Sequence, residues 1–357
     1  MSKLDDLKLI DRIDKDRMLA LLVGLPAQFE HAADIGRHVK FSARKFKKVS
    51  NVVFSGLGGS AIGGDIVKSY IEGEAGIPII VNRDYTVPAF TRANTLFFAS
   101  SYSGNTEETI SAYKEARKRK AKVIVITTGG ALGSMAGKDG SPVVKIPSGM
   151  PPRYAIGYSF ITGLWLMSRI GLVSDKSRQL KEAVGVMQAL RDKTLGPDIP
   201  ASKNLAKKIA ISLFDKYCIV YGADRYSGCI AARWRSQFAE NSKALASSNV
   251  FPEMNHNEIM GYSHPGVILK KTVAIFLKNK KDHPRVRLRM DITRSLLKNR
   301  ISGIIEVNSA GKGLLAEMSS LLYIGDFASF YLAILNNENP SLIEDIERLK
   351  TRLGGQR

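Results

Sequence analysis

A chain of 357 residues with 44% hydrophobic and 24% charged side chains has the composition of a globular protein with room for two cores, which excludes fibrous and disordered classes. Its formal net charge of +20 attracts anions, from phosphorylated metabolites to nucleic acid, although a solvated basic surface is the simpler explanation. The amino-terminal MSKLDDLKLIDRIDKDRM lacks the apolar centre of a signal peptide, and Cys218 and Cys229 form no disulfide framework. We therefore expect a cytoplasmic protein.

Five short apolar runs in the first half predict buried strands. The runs lie at 51–56, 77–82, 94–100, 121–127 and 141–147. Helical segments with charged residues on one side alternate with these runs. Continuous apolar strands between helices are typical of a parallel sheet covered on both faces. We assign residues 1–35 to an amino-terminal helical segment and residues 36–172 to a first α/β domain, which ends with the helical stretch AIGYSFITGLWLMSRIG.

The second half repeats this alternation. After a connecting segment at 173–203, strands are predicted within DKYCIVYGAD, KTVAIFLKN and ISGIIEVNS, each followed by a helical stretch. We assign residues 204–336 to a second α/β domain and residues 337–357 to a carboxyl-terminal helix. The predicted fold class is α/β, with two tandem doubly wound domains, each built on a mainly parallel sheet flanked by helices. No apolar run approaches the roughly 20 residues that cross a bilayer, so no membrane segment is expected.

Two turns rich in glycine and hydroxyl side chains follow predicted strands, at the edge where open parallel sheets bind ligands. In SGLGGSAIGG, the glycines let backbone N–H groups approach a ligand, and Ser60 lies near a helix start. In SYSGNTEET, Ser101, Ser103 and Thr106 can direct hydroxyl groups at one anion that the helix dipole favours. Helix capping alone would account for one such hydroxyl. Three of them beside a glycine turn predict a bound phosphate monoester.

The same turns lack the patterns of nucleotide sites. Neither contains the G-x-x-x-x-G-K-[ST] pattern of a nucleoside triphosphate loop, and the first lacks G-x-G-x-x-G followed by an acid for the ribose. The chain also offers no convincing cluster of metal ligands. We therefore expect no cofactor and no metal.

The motifs resemble the sugar isomerase (SIS) domain, which binds phosphosugars. More narrowly, the chain is similar to the archaeal and bacterial bifunctional phosphoglucose/phosphomannose isomerases, which have two tandem SIS domains. The resemblance covers nearly the whole chain, and its Pro-Arg, Glu and His motifs are the most specific part. The family motifs occur here in order, as GGS (58–60), SYSGNT (101–106), ITTGG (126–130), PPRYA (151–155), AENSK (239–243) and NHNEI (255–259).

The resemblance implies an aldose–ketose isomerase that moves a proton between C1 and C2 of a phosphosugar through a cis-enediol. It implies that Glu240 is the base and that Arg153 stabilises the enediolate. It implies that His256 opens the sugar ring and comes from the neighbouring subunit of a homodimer, and that Lys350 approaches the substrate. Substrate and phosphate contacts are implied for Gly58, Gly59, Ser60, Ser101, Ser103 and Thr106.

One position departs from the family. Ile343, seven residues before Lys350, stands where the compared family member has a threonine, which the family links to action on both C2 epimers. The resemblance thus implies glucose-6-phosphate isomerase activity first and mannose-6-phosphate isomerase activity second. Two further carboxylates, Glu253 and Glu258, flank His256 and rank behind Glu240 as candidate bases.

Two other functions share parts of the pattern. A phosphosugar-sensing regulator would bind DNA, as the basic charge invites, but it needs a helix-turn-helix module, and only about 35 residues precede the first strand region. The isomerase half of glucosamine-6-phosphate synthase also has tandem SIS domains, but it follows a domain with an amino-terminal Cys nucleophile, whereas the first cysteine here is Cys218. We therefore expect phosphosugars as partners, and neither nucleic acid nor a membrane.

Overall fold

The structure, a computed structural model, describes residues 2–354, which form two parallel sheets. The strands are β1 (Asn51–Ser55), β2 (Ile79–Asn82), β3 (Thr95–Ser100), β4 (Lys122–Thr127), β5 (Val143–Lys145), β6 (Tyr217–Ala223), β7 (Ala246–Phe251), β8 (Thr272–Lys278) and β9 (Gly303–Asn308). The N-sheet has the order β2-β1-β3-β4-β5, the C-sheet has the order β7-β6-β8-β9, and their strand pairs are parallel. The predicted α/β fold class is confirmed.

Helices connect the strands and cover the sheets. In chain order they are α1 (Leu7–Ile13), α2 (Met18–Val23), α3 (Leu25–His38), α4 (Gly58–Ile71), α5 (Glu107–Lys118), α6 (Gly130–Lys138), α7 (Ile156–Ile170), α8 (Ser177–Leu190), α9 (Leu205–Leu213), α10 (Gly228–Ser242), α11 (Gly266–Leu269), α12 (Pro284–Leu297), α13 (Leu314–Leu335) and α14 (Glu344–Gly354).

The chain divides into two compact units, each named here after its sheet. The N-sheet unit consists of Gly24–Gly185 and Gly311–Ala316, and the C-sheet unit consists of Met1–Val23, Val186–Ala310 and Glu317–Arg357. Each unit combines segments that are distant in sequence. The domain boundaries predicted after residues 35, 172, 203 and 336 stay predictions. Residue 1 and residues 355–357 of the predicted terminal segments lie outside the described residues.

The core of the N-sheet unit explains why its central strands are apolar throughout. All residues of β1 and β3 are buried, because helices cover both faces of the sheet. On one face, Phe54 and Phe98 stack with ring centroids 4.6 Å apart, beneath α4 and α7. On the other face, Phe97, Tyr113 and Leu132 belong to one buried cluster with parts of α5 and α6. With both faces covered, the strand ends remain as the place for a ligand.

The C-sheet contains an edge strand that the sequence analysis did not predict. Strand β7 pairs with β6 from Cys218 opposite Ala246 to Ala223 opposite Phe251. Its sequence, ASSNVF, has no apolar run, and only Phe251 in it is fully buried. An edge strand has a neighbour on one side only, so it needs fewer apolar side chains than a central strand. Hydrophobic pattern therefore gave no signal for it.

Helix α13 is long and apolar enough to cross a membrane by length and composition. It has 22 residues with a mean hydropathy of 1.5 in its best window, but 94% of that window is buried inside the protein. The sequence analysis expected no apolar run of membrane-spanning length, because Glu317 and Asp326 interrupt this one. Since protein covers nearly all of its surface, α13 is a core helix.

Candidate active site

The two turns predicted to bind phosphate emerge from neighbouring strands of the N-sheet. Strands β1 and β3 pair in parallel register and end at Ser55 and Ser100, so both turns begin at the same edge. The turns also touch, because a Cβ atom on Gly56 would lie 2.6 Å from the carbonyl oxygen of Ser100. Only glycine allows this approach. The structure therefore brings the segment 56–60 and the segment 101–106 together.

The hydroxyl groups of the second turn bond within the turn instead of capping α5. The buried Ser101 Oγ lies 2.8 Å from Thr106 Oγ1 and accepts the N–H of Gly104 at 3.1 Å. Thr106 occupies the N-cap position of α5, but its side chain makes no capping hydrogen bond. The exposed Ser103 Oγ accepts the N–H of Asn105 at 3.2 Å. Simple capping of α5 does not describe this turn, and an anion could use the N–H groups at the start of the helix.

Close backbone packing fixes the shape of the same turn. Gly104 has a φ of +71°, and a Cβ atom there would lie 1.9 Å from the carbonyl oxygen of Gly129. Gly130 has a φ of +66°, and its Cβ atom would lie 2.4 Å from the carbonyl oxygen of Ser103. Hydrogen bonds of 2.9–3.0 Å join the two turns, from the N–H groups of Thr128, Ala131 and Leu132. The ITTGG motif thus packs against the segment 101–106, the predicted phosphate turn, and stabilises its shape.

Arg153 lies beside the first turn. It belongs to the short helical turn Pro152–Tyr154, which packs so closely on α4 that a Cβ atom on Gly59 would lie 2.7 Å from the Pro152 carbonyl oxygen and 3.4 Å from Arg153 Cα. The Arg153 side chain is only 3% exposed, and its guanidinium carbon lies 5.8 Å from the centroid of the Tyr154 ring. A buried guanidinium beside the glycine-rich start of α4 favours negative charge at this edge of the sheet.

Glu240 is half-buried in the last turn of α10, in the C-sheet unit. The helix is followed by Lys243, which has a φ of +51° and closes the helix end. Its ammonium donates to the carbonyl oxygens of Glu240 at 3.1 Å and Asn241 at 3.3 Å, and to that of Asn339 at 2.8 Å. Because the last carbonyl groups of a helix have no partner inside the helix, Lys243 stabilises the turn that carries Glu240.

A buried polar network attaches α10 to α13. Arg233 Nε and Nη2 donate to the two carboxylate oxygens of Asp326 at 3.0 and 2.8 Å, and Gln237 donates to the same carboxylate at 3.1 Å. Nearer to Glu240, Asn241 Nδ2 donates to Ser329 Oγ at 2.9 Å. A bidentate ion pair whose oxygens are further hydrogen-bonded holds one geometry. Glu240 therefore projects from a helix that is fixed along its length.

His256 and Glu240 lie toward opposite ends of the strands of the C-sheet. His256 is exposed on the turn that follows the carboxyl end of β7. Helix α10 begins beyond the carboxyl end of β6, at Gly228, and runs back along the sheet. At a rise of roughly 1.5 Å per residue, Glu240 lies about 18 Å along the helix from Gly228. The chain then enters β7 at its amino end, Ala246, opposite Cys218. The two residues are not brought together within one chain.

Lys350 is exposed on α14, in the C-sheet unit. Ile343 directly precedes this helix, and its carbonyl oxygen accepts the N–H of Glu347 at 3.1 Å, so it occupies the N-cap position. A threonine at this position could cap the helix with its hydroxyl group, whereas isoleucine cannot. The departure from the family thus changes the start of the helix that carries Lys350.

The predicted site residues are distributed over both units. The N-sheet unit holds the glycine-rich and hydroxyl-rich turns and Arg153, and the C-sheet unit holds Glu240, His256 and Lys350. A guanidinium, a carboxylate, an imidazole and an ammonium can stabilise negative charge and transfer protons. Within residues 2–354, no three His, Cys, Asp or Glu side chains gather where they could hold a metal ion.

Two sequence-family descriptions match the chain. One, the bacterial phospho-glucose isomerase C-terminal SIS domain, matches residues 202–353, and the other, the SIS domain, matches residues 45–162. Each match contains one of the two parallel sheets: residues 45–162 include β1–β5, and residues 202–353 include β6–β9.

Relatives are similar over nearly the full chain. A protein of Caldicellulosiruptor bescii named bifunctional phosphoglucose/phosphomannose isomerase is 45% identical over 336 residues, covering 94% of this chain and 98% of the relative. A protein of the same name from Aquifex aeolicus is 34% identical and covers 87% of this chain and 92% of the relative. Among solved structures, a hypothetical protein from Thermus thermophilus has a TM-score of 0.75 at 15% identity, covering 98% of this chain and 94% of that one, which supports the fold alone.

Proposed function

Because the chain belongs to the family of bifunctional phosphoglucose/phosphomannose isomerases, we propose that it interconverts glucose 6-phosphate with fructose 6-phosphate, and mannose 6-phosphate with fructose 6-phosphate. The 45% identity to a relative of that name, over 94% of the chain, is the observation that carries this proposal. We place the reaction in the cytoplasm, which a content of only two cysteines in 357 residues supports.

The proposed mechanism moves one proton between two carbons without an external oxidant. Glu240 takes the proton from C2 of the open-chain aldose, the electron pair of that C–H bond forms the C1–C2 double bond, and the C1 carbonyl oxygen becomes an enediol oxygen. Arg153 stabilises the negative charge on that oxygen. The C1 oxygen gains a proton and the C2 hydroxyl group loses one, and return of the carbon-bound proton from Glu240 to C1 gives the ketose with its carbonyl group at C2. From the ketose, return to either face of C2 gives the glucose or the mannose configuration.

The remaining residues bind and prepare the substrate in this proposal. Ser101, Ser103 and Thr106 hold the phosphate, supported by the uncapped first turn of α5 and by the mutual hydrogen bond of Ser101 and Thr106. The segment 58–60 lines the sugar pocket with Arg153, supported by the close backbone contact of Gly59. His256 opens the sugar ring, and Lys350 contacts the substrate.

We further propose that the working form is a homodimer in which His256 of one chain serves Glu240 of the other. The support is the direction of α10, which carries Glu240 about 18 Å from the helix start at Gly228, toward the amino ends of the strands, whereas His256 follows the carboxyl end of β7. Because His256 and Glu240 of one chain lie at opposite ends of the strands, a second copy of the chain can supply the imidazole.

The decisive experiment is a proton-NMR assay of the purified protein with fructose 6-phosphate in the presence of EDTA. We expect both glucose 6-phosphate and mannose 6-phosphate to appear. Glucose 6-phosphate alone would contradict the second activity, and Ile343→Thr would then be the variant to test for its recovery. Neither product, despite phosphosugar binding, would turn the assignment toward a regulator that senses phosphosugars.

Mixed dimers test the sharing of His256. Glu240→Gln and His256→Ala are each expected to lower the kcat of the homodimer by at least about 10²-fold, to a residual but measurable rate. The two variants are co-expressed with different affinity tags, and the mixed dimer is purified on both tags. One of its two sites has both intact residues, so roughly half of the wild-type kcat should return. No activity in the doubly purified mixed dimer would contradict the shared site, and the same purification of two His256→Ala chains is the control.

A further inference from the structure

The Glu258 carboxylate, which the sequence analysis ranked only as a competing base, is held by side chains of the C-sheet. Tyr221 Oη donates to Glu258 Oε1, and Asn249 Nδ2 donates to Glu258 Oε2. Tyr221 in β6 and Asn249 in β7 are register partners, so both side chains leave the same face of the sheet. The hydroxyl group of Tyr262 bonds that of Tyr221. The two carboxylate oxygens are therefore each held by a neighbouring strand.

Tyr221, the central donor of this network, is closely packed. Tyr221 is fully buried, with its ring centroid 5.8 Å from that of Phe251 and 5.6 Å from that of Phe276. Burial raises the pKa of Tyr221 and of Tyr262, so both hydroxyl groups keep their protons. Since Tyr221 donates to the carboxylate, Tyr262 donates to Tyr221, and the hydrogen bonds run in one direction toward Glu258.

The network ends two residues from His256. The N–H of Glu258 donates to Asn257 Oδ1 at 2.6 Å, which begins the next turn directly after His256. On the other side, Met254 is buried, and Asn255 Nδ2 donates to Thr293 Oγ1 of α12 at 2.8 Å. His256 therefore lies at the exposed top of a turn that is tied to the sheet on one side and to α12 on the other.

We propose that Glu258 is a positioning residue, which, through Tyr221 and Asn249, fixes the turn that presents His256 to the substrate. The proposal rests on the proposed function, because it needs His256 to act in ring opening. Glu258 is poorly suited to be a base itself, since both of its oxygens already accept hydrogen bonds from fixed donors. A misplaced imidazole slows ring opening and leaves the binding of the phosphate intact.

The test uses Glu258→Gln and Tyr221→Phe, each made in the wild-type protein and in His256→Ala. In the wild-type background, we expect kcat with fructose 6-phosphate to fall about 10- to 100-fold, with KM within about threefold. In the His256→Ala background, we expect less than a twofold further change, because a positioning residue has nothing left to position. The matched control is Glu253→Gln, which changes an exposed carboxylate of the same turn and keeps an acceptor for the Asn257 amide, and its kcat should be unchanged.

Equal losses in both backgrounds, or an unchanged kcat in Glu258→Gln and Tyr221→Phe, overturn the proposal. A second measurement is independent of catalysis. In protein labelled with ¹⁵N-histidine, the chain gives five backbone amide signals, one for each histidine. Glu258→Gln should move the His256 signal and speed its hydrogen exchange, and an unmoved signal overturns the positioning role. A moved signal with no isomerase activity in the wild type would instead reject the proposed function alone.

Discussion

Replacing Glu240 with glutamine should lower kcat for isomerisation by about 10²- to 10⁴-fold while phosphosugar binding stays nearly unchanged. The amide has the size of the carboxylate but cannot take a proton from carbon. Because α10 is fixed by the Arg233–Asp326 pair and by Lys243, the substitution should not move the helix end. Steady-state kinetics give kcat and KM, and calorimetry with fructose 6-phosphate gives the affinity.

A matched control comes from the same unit. Glu338 is half-buried, as Glu240 is, and Glu338→Gln removes the same charge without touching α10, so its kcat should equal that of the wild type. If Glu240→Gln turned over at the wild-type rate, Glu240 could not be the base.

Replacing Arg153 with methionine should lower kcat by about 10²- to 10³-fold, because the variant loses the cation that stabilises the enediolate. Methionine has a similar length and suits a site that is 3% exposed, so the packing of Pro152 on Gly59 should survive. Arg153→Met should also weaken binding. The loss of affinity should be larger for an acyclic phosphorylated aldonate, whose carboxylate imitates the enediolate, than for fructose 6-phosphate. Inhibition constants and KM values measure this difference.

The control for this variant is Arg37→Met. Arg37 also lies in the N-sheet unit with its guanidinium over an aromatic ring, 5.3 Å from the centroid of Trp165, but it is on the surface and pairs with Asp34. Its kcat should be unchanged. If Arg153→Met lost affinity for the aldonate and for fructose 6-phosphate equally, Arg153 would contribute to general binding of the substrate and not to stabilisation of the enediolate.

The sequence predicted the strands of the N-sheet well because the central strands β1 and β3 are buried throughout, and the edge strands β2 and β5 also begin with two apolar residues. The predicted bounds of some strands differ from the observed ones. The strand predicted at 141–147 is observed as Val143–Lys145, since Pro142 has no N–H group to donate to the sheet. The edge strand β7 was missed altogether, because a strand with one neighbour can consist largely of serine and asparagine.

The candidate site was predictable where its residues are close in sequence. The phosphate turn and the glycine turn were found because several hydroxyl and glycine residues lie within six positions of one another. Contacts between distant residues leave no local pattern: Tyr221 and Glu258 are 37 positions apart, and Arg233 and Asp326 are 93 apart. For the same reason, the placement of Glu240 and His256 toward opposite ends of the strands could only be read from the strand order and helix direction.

The packing of Gly104 and Gly130 has an entropic consequence. A loop that became ordered only around its ligand would lose about 1–2 kcal/mol of conformational freedom per residue at each binding event. Here backbone contacts and hydrogen bonds from the following turn order the segment 101–106 before any phosphate arrives. In the proposed function, the attraction between the turn and the phosphate is then available to hold the sugar against the reacting groups.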